Sequence, residues 1–210
     1  MIGIAELWRS NDPRVWDEAL KHYWSFVQPR NMELERSLEA LDLERLRHMD
    51  ATAWYRFLQD EYFRWKYTQP NRYASTTRLL RHYEEANALD QLNAIRQRLL
   101  KLDTEDIRSG LEAAFAIRGL GPPGSSGLLA LMYPDKFGTI DQFVVKALRL
   151  VPGLPEAAAL NRMNPDSLKI SDGVVIIGLL RRKAAENNRL FKSKAWTPRK
   201  LDKVLWTYGR

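Results

Sequence analysis

The sequence predicts an all-α fold. Apolar residues recur at helical spacing along almost the whole chain, and residues that favour helix starts precede several of these segments. No segment alternates apolar and polar residues for long enough to form a strand. The sequence contains no internal repeat and no low-complexity segment. We therefore expect about ten short helices.

The first predicted helix follows Asp12 and Pro13, a capping residue and a proline that suits the first helical position. The last predicted helix opens in the same way, at Thr197 and Pro198. Val174 to Leu180 is rich in β-branched residues but leads directly into basic residues, so it predicts a buried helix that emerges into solvent. The same periodicity predicts further helices around Leu34–Leu41, Trp54–Trp65 after Asp50, Leu79–Tyr83 after Thr76, Leu92–Leu99, Ile107–Phe115 and Gln142–Leu150.

Two stretches interrupt the helical pattern. Tyr67 to Tyr73 is polar and aromatic, and we expect a loop there because Pro70 should end the preceding helix. Gly119 to Gly127 is rich in glycine and proline. We expect a helix over Ile107 to Arg118, a turn at Gly119-Leu120-Gly121 and a second helix over Ser125 to Tyr133.

The composition excludes several kinds of chemistry. The chain has 210 residues, 45% of them hydrophobic, which is enough for a core, and it has no cysteine. Disulfides, thiol catalysis, cysteine-bound zinc and iron–sulfur clusters are therefore excluded. His22, His48 and His82 have no metal-ligand spacing, so we predict no bound metal. With no leader and no membrane span in the sequence, we expect a cytoplasmic protein, nucleoid-associated if bacterial, or a nuclear one, with no membrane and no protein partner.

The positive charge is concentrated in the second half of the chain. The net charge is +7, yet residues 1–110 hold 17 Lys and Arg against 18 Asp and Glu, and residues 111–210 hold 16 against 8. This asymmetry favours a polyanionic partner, nucleic acid before membrane headgroups, although a solvated face is the alternative. The basic helices predicted over residues 172–208 contain Arg181, Arg182, Lys183, Arg189, Lys192, Lys194, Arg199, Lys200 and Lys203, interrupted by the acidic residues Glu186 and Asp202.

The segment around Gly119 and Gly121 could bind a phosphate. Two helices joined by a tight Gly-x-Gly turn point several backbone amides in one direction, and the second helix adds its dipole. Glycine permits both a positive φ and close approach of a phosphodiester. An ordinary corner between two helices is the alternative explanation of this turn.

Residues 107–150 resemble the helix-hairpin-helix DNA glycosylase superfamily, which includes endonuclease III. The resemblance rests on Gly119-x-Gly121, an apolar helix, Ile140-Asp141 about twenty residues further on, and Lys146 five positions after the aspartate. It implies that residues 1–210 form a single unit of two helical lobes, with a flipped base bound between them and the hairpin on the phosphates of double-stranded DNA. It implies no cofactor beyond a monovalent cation on the hairpin backbone.

The resemblance implies that Asp141 is the catalytic carboxylate. Cleavage of an N-glycosidic bond develops positive charge on the deoxyribose, which a carboxylate stabilises while it orients the attacking water. A helix N-cap is the other role that suits Asp141, and the two roles are compatible. We expect phosphate contacts from the glycine-rich segment and the basic residues, namely Gly119, Gly121, Gly124, Ser125, Ser126, Lys146, Arg181, Arg182 and Lys183.

Two prolines depart from the family pattern. Pro123 stands where bifunctional members carry a lysine that attacks the sugar, so a monofunctional DNA glycosylase is expected. Pro122 removes an amide from the turn, which Gly124, Ser125 and Ser126 would have to replace. A non-catalytic protein of the same fold that recognises distorted or abasic DNA is therefore an alternative, and a helical protein-interaction domain is a third.

Aromatic and basic residues are interleaved in Tyr62 to Tyr73. This mixture suits a site where an unpaired base stacks and its edge is hydrogen-bonded. Trp65 also continues the apolar face of its helix, so a core position is its alternative. The candidates for a base pocket or a wedge into the duplex are Trp65, Tyr67, Asn71, Arg72 and Tyr73.

Overall fold

A computed structural model describes residues 2–210, and its regular secondary structure is entirely helical in that range. The helices of the first half are α1 (Ile4–Arg9), α2 (Pro13–Phe26), α3 (Pro29–Glu39), α4 (Leu43–Arg47), α5 (Ala51–Arg56), a π-helical segment (Phe57–Tyr62), α6 (Phe63–Lys66), α7 (Pro70–Glu85) and α8 (Leu89–Leu100). Those of the second half are α9 (Ile107–Phe115), α10 (Pro122–Met132), α11 (Gln142–Arg149), α12 (Ala157–Arg162), α13 (Ile170–Leu190) and α14 (Pro198–Gly209).

The described chain has more helices than the ten expected. Because α5, the π-helical segment and α6 follow one another without a break, they form one helix, and the count is thirteen. The three helices that the periodicity did not predict are α1, α4 and α12. Each has five or six residues. Helices of this length make less than two turns, so they show no apolar period.

The predicted helix starts at both ends of the chain are confirmed. The Asp12 side chain accepts a hydrogen bond from the amide of Arg14, and Thr197 accepts one from Lys200. Pro13 and Pro198 each occupy the first helical position. Asp50 caps α5 in the same way, through the amide of Ala53.

The loop predicted over Tyr67 to Tyr73 is mostly helical. α7 begins at Pro70, so Asn71, Arg72 and Tyr73 lie in its first turn and only residues 67–69 connect it to α6. The prediction took Pro70 as the end of one helix, whereas proline also suits the first position of the next because its missing N–H has no helical partner there. Thr76, predicted to precede this helix, lies inside it.

The glycine-rich connection differs from the prediction in its helix boundaries. α9 ends at Phe115, three residues before Arg118, and α10 begins at Pro122, three before Ser125. Pro122 and Pro123 thus form the first helical positions instead of part of the connection. α9 and α10 pack against each other.

The helices pack in two groups around one continuous apolar core. α14 packs against α2, α11 and α13 in one group, and the helices from α5 to α10 form the other. α13 contacts both α9 and α10, and α3 packs on α6, so these contacts join the groups. The segment from Val174 to Leu180 lies within α13 as predicted, with Ile176 and Ile177 fully buried. Within residues 2–210, no helix is both long and apolar enough to cross a bilayer.

Candidate active site

Asp141 is the N-cap of α11. Its Oδ1 accepts hydrogen bonds from the amides of Phe143 at 2.9 Å and Val144 at 3.0 Å. Its Oδ2 has no hydrogen-bond partner within residues 2–210, and the residue is partly exposed. The arrangement fixes the carboxylate by one oxygen, which satisfies two helix-start amides, and leaves the second oxygen available.

The backbone just before Asp141 is held by hydrogen bonds to two helices, α10 and α14. The amide of Ile140 donates to Ser126 Oγ of α10 at 2.9 Å, and the amide of Thr139 donates to Asp202 Oδ2 of α14. Ile140 is itself fully buried. Asp141 is therefore positioned by α10 and α14 together, as well as by its own helix.

The glycine turn, Gly119 to Gly121, needs glycine at one position only. Gly119 has φ +93°, and a Cβ there would lie 2.5 Å from the carbonyl oxygen of Thr76 in α7. Gly121 has φ −85°, and a Cβ there would meet nothing nearer than Pro123 Cδ at 3.9 Å. The interior packing therefore explains the absence of a side chain at Gly119 but not at Gly121.

Two tyrosines connect the aromatic segment to the glycine turn. The hydroxyl of Tyr67 donates to the carbonyl of Gly119 at 3.0 Å, and that of Tyr62 donates to the carbonyl of Gly124. Burial raises the pKa of Tyr67 to about 12, so its hydroxyl stays a proton donor at neutral pH. The aromatic segment and the glycine turn, which are about fifty residues apart in sequence, thus form one surface.

The residues in the first turns of α10 pack into the protein interior. Ser125 and Ser126 are fully buried, and their hydroxyls donate to the carbonyls of Gly121 and Pro123. A Cβ at Gly124 would lie 2.6 Å from the hydroxyl of Tyr67, so this glycine allows Tyr67 to pack closely. The sequence predicted that the hydroxyls of Ser125 and Ser126 would replace the missing amide of Pro122 as phosphate donors. This is corrected, because both hydroxyls are buried and donate to backbone carbonyls. This leaves Gly119, whose amide donates no hydrogen bond within residues 2–210, whereas the amide of Gly121 lies at the Tyr67 hydroxyl and lowers its pKa against the larger effect of burial.

The turn gives no support to the expected monovalent cation. The carbonyl of Gly119 accepts from Tyr67, and that of Gly121 accepts from both the amide and the hydroxyl of Ser125. A monovalent cation on the hairpin backbone stays a prediction. Across residues 2–210, no group of three or more His, Asp or Glu side chains is placed to hold a metal ion.

Trp65 and Lys66 end the aromatic segment on α6. The indole N–H of Trp65 donates to Glu35 Oε2 at 2.5 Å, and the ring lies between the Arg199 guanidinium at 5.2 Å and the Lys66 ammonium at 5.9 Å. Trp65 is therefore anchored in the protein, in line with its predicted alternative as a packed residue, but one side of it remains partly exposed.

The other candidates of this segment are at the surface of α7. Asn71 and Arg72 are exposed, and Tyr73 donates a weak hydrogen bond to the carbonyl of Gln59 at 3.3 Å. Arg72 lies one turn before Thr76 on α7, and the carbonyl of Thr76 packs against Gly119. The structure thus brings Arg72 and Tyr67 together with Gly119, while Tyr73 packs back on the π-helical segment.

A buried ionic network lies behind the site. Arg199 of α14 is 5% exposed and makes ion pairs with Asp202 at 2.9 Å, Glu39 at 2.8 Å and Glu35 at 3.3 Å. Lys203 pairs with Glu39 as well. Burial alone lowers the pKa of Arg199, but the carboxylates outweigh it and raise that pKa well above its usual value. The network joins α3 to α14 and includes Asp202, which holds the segment before Asp141.

The basic helices of the C-terminal part expose fewer cations than predicted. Lys183 is buried and donates to the carbonyl of Trp8 at 2.7 Å, while Arg181 donates to the carbonyls of Thr104, Glu105 and Lys136. Arg182 is exposed and paired with Glu156. Lys183 is therefore corrected from a phosphate contact to a structural residue, because its ammonium does not reach the surface.

Exposed cations without an ion pair occur in several parts of the chain, including Lys192 and Lys194 of the C-terminal part, and three of them lie near the glycine turn in sequence or on α7 and α11. Arg118 immediately precedes Gly119, Arg72 lies beside Tyr67, and Lys146 is five residues after Asp141. All three are exposed, and none makes an ion pair within residues 2–210. An anionic partner would meet these charges without breaking an internal salt bridge.

The recorded surface cavities lie away from Asp141. One of about 540 Å³ is lined by side chains of α7, α8 and the connection after α9, including Tyr83, Arg98 and Arg118. Asp141 is partly exposed, and neither of these two cavities includes it. No protein-family model, curated protein or solved structure matches this chain.

The sequence analysis missed two residues of this site. Asp202 was counted only as an interruption of the basic cluster, and Lys66 was part of the aromatic run but was not selected. The acidic residue in a basic helix was a usable signal for Asp202. Nothing in the sequence indicates Lys66. Only the folded structure shows that this lysine has no hydrogen-bond or ion-pair partner within residues 2–210.

Proposed function

We propose that this protein is a monofunctional DNA glycosylase that acts on a damaged or modified base. The observation that carries the proposal is the free Oδ2 of Asp141, which follows a backbone segment bound to Ser126 of α10, the helix that begins at the glycine turn. In the proposed reaction this oxygen stabilises the positive charge on the deoxyribose as the N-glycosidic bond breaks, and water completes the hydrolysis. The bond from C1′ to the base nitrogen breaks, and the base leaves with the bonding electron pair.

The surroundings of Asp141 support a nucleic-acid substrate. Lys146, on the helix that Asp141 begins, supplies unpaired positive charge for a phosphate, and Arg72 and Arg118 offer more on neighbouring elements. The packing around Gly121 would tolerate a side chain, so packing does not require glycine here. The missing side chain leaves room for an external group to approach the backbone closely. Trp65 and Tyr67 offer aromatic surface for an extruded base.

The central test is base release by the Asp141→Asn variant. Duplexes that each carry one damaged or hypermodified base are incubated with the purified protein, and the free base is measured by mass spectrometry. Because asparagine is as good an N-cap as aspartate but carries no charge, we expect release to fall by about 10²–10³-fold with stability and DNA affinity kept.

Asp42→Asn is the matched control. Asp42 caps α4 through the amide of Glu44, so this variant removes a capping carboxylate elsewhere in the chain. It should release base at the wild-type rate. An Asp141→Asn protein that releases base as fast as the wild type would contradict the proposal.

A non-catalytic DNA-binding protein is the second candidate, and Pro122 and Pro123 favour it. They remove two amides from the start of α10, where a phosphate would otherwise be bound. Binding of abasic duplex that weakens steeply with salt, without release of any base from the panel, would support this candidate. Absence of DNA binding even at low salt would instead favour a protein-interaction domain.

A further inference from the structure

Two surface cavities form one groove between α8 and α9. The cavity of about 540 Å³ and a second one of about 400 Å³ share Arg98 of α8 and Ala116 at the end of α9. The groove therefore runs along both helices, from Arg118 at one end to Lys101 at the other. Asp141 lines neither cavity, so the groove is separate from the candidate active site.

One face of each helix lines this α8–α9 groove. The lining residues recur three and four positions apart, which is the spacing of a single helical face. They include Gln91, Ala94, Arg98 and Lys101 on the first side and Ala113 and Ala116 on the second. Because alanine is short, another helix can approach α8 and α9 closely at three of these positions. From Gln91 to Lys101 the chain rises about 15 Å, which matches about three turns of a partner helix.

The α8–α9 groove carries positive charge without internal partners. Arg98, Lys101 and Arg118 are exposed, and their side chains make no ion pair or hydrogen bond within residues 2–210. The two carboxylates of the lining are already engaged, since Asp103 accepts a backbone amide and Glu112 pairs with an arginine of its own helix. An acidic partner would thus meet three cations without breaking an internal salt bridge.

The surroundings of the α8–α9 groove favour a protein over a nucleic acid. Phe115, beside Ala116, is 47% exposed, and Leu79, one turn before Tyr83 on α7, is 44% exposed. Large exposed apolar side chains next to a groove are typical of protein interaction sites. Tyr83 lines the groove but is 4% exposed, and the Arg118 guanidinium covers its ring at 5.3 Å. The groove therefore presents no open aromatic face on which a nucleobase could stack.

We propose that the α8–α9 groove binds an amphipathic helix of a partner protein, with acidic residues beside its apolar stripe. The apolar stripe packs over the alanines of the groove, and the carboxylates pair with Arg98, Lys101 and Arg118. The proposal replaces the sequence-based expectation that this protein has no protein partner. It does not depend on the proposed function, because the groove and Asp141 lie on different elements.

The test selects helical peptides against the purified full chain. A phage library displays helices of about 16 residues, a length at which helices form in water, with all residues of one face randomised. We expect the selected peptides to be enriched in Asp and Glu and in Leu and Phe at helical spacing. Their affinity, measured by fluorescence anisotropy, should fall as the salt concentration rises.

Two variants place the bound peptide in the groove. Arg98→Glu should weaken binding by about tenfold or more, because it sets like charges against each other. Lys194→Glu is its matched control, since it makes the same change of charge on an exposed lysine that lines neither cavity. Ala116→Trp should abolish binding without a change of charge, because it fills the groove where the two cavities join. Ala116 has φ −63°, so its backbone accepts the larger side chain.

Three results would overturn the proposal. The first is a selection that yields no binder, or binders without acidic residues. The second is binding that persists in both Arg98→Glu and Ala116→Trp. The third is a thymidine oligonucleotide that displaces the peptides from the wild type, which would assign the groove to nucleic acid. Base release is a separate readout: loss of peptide binding in Arg98→Glu supports this inference whether or not the wild-type protein releases a base.

Discussion

The residue type explains why Asp141 stands at its position but does not explain the position of Lys66. Aspartate is a favoured N-cap, so sequence alone predicts that Asp141 begins α11, and its hydrogen bonds confirm this. Capping uses only Oδ1 of Asp141, so a catalytic role would have to use Oδ2. Lysine on α6 satisfies no structural requirement, and only the folded structure reveals that no carboxylate lies within ion-pair distance of it.

We expect Lys66 to titrate below the exposed lysines. Burial and the charge of Arg199 lower its pKa against the opposing charges of Asp141 and Asp202. Reductive methylation with ¹³C-formaldehyde retains the charge, and the NMR shift of each dimethyl-lysine followed against pH reports its pKa. The Lys66 signal is assigned by its absence in Lys66→Arg.

The reference for this titration is Lys192, which is exposed and makes no ion pair within residues 2–210. If Lys66 titrated at or above Lys192, the carboxylates of Asp141 and Asp202 would dominate its environment.

At the scale of elements, the connection between α9 and α10 depends on Gly119. We expect Gly119→Ala to lower the free energy of unfolding by about 3 kcal/mol, since the added Cβ meets the Thr76 carbonyl and the residue must also keep a positive φ. Urea unfolding at neutral pH measures this change.

Gly153→Ala separates the two causes. Gly153 has φ +78° as well, but a Cβ there would have nothing within 4 Å. This variant should cost only the conformational part, about 1 kcal/mol. Equal losses in the two variants would show that the packing of α7 on the glycine turn contributes nothing.

The elements also show why some boundaries could be predicted and others could not. Asp12-Pro13 and Thr197-Pro198 combine a cap with a proline, and both helices begin where expected. Pro70 and Pro122 follow residues without a capping side chain, so the sequence did not distinguish the end of a helix from the start of the next one. The π-helical segment gives no sequence signal, because its extra residue is accommodated by packing.

At the scale of the whole molecule, net charge was a poor guide to the binding surface. The excess of Lys and Arg in the second half is real, but Lys183, Arg199 and Lys203 are buried with partners. A charge count cannot distinguish a paired interior cation from a free surface one. Exposed cations without an ion pair occur in both halves of the chain, for example Arg72 in the first and Lys146 and Lys192 in the second.

We expect Arg199→Met to lower the free energy of unfolding by about 3–5 kcal/mol, because it leaves the buried carboxylates of Glu35 and Asp202 without their cation. Arg182→Met is the control: its guanidinium is exposed and paired only with Glu156, so it should cost at most about 1 kcal/mol. Similar losses in both variants would show that the network does not hold α3 and α14 together.

The position of Asp202 in α14 has a consequence for synthesis. Every other helix leaves the ribosome before α14, so the amide of Thr139 waits for its carboxylate acceptor until this helix docks. During that interval α11 can already form and Asp141 can cap it, but the backbone before Asp141 has only Ser126 to hold it. A nascent chain would thus have α11 capped by Asp141 before the backbone that precedes this cap is fully anchored.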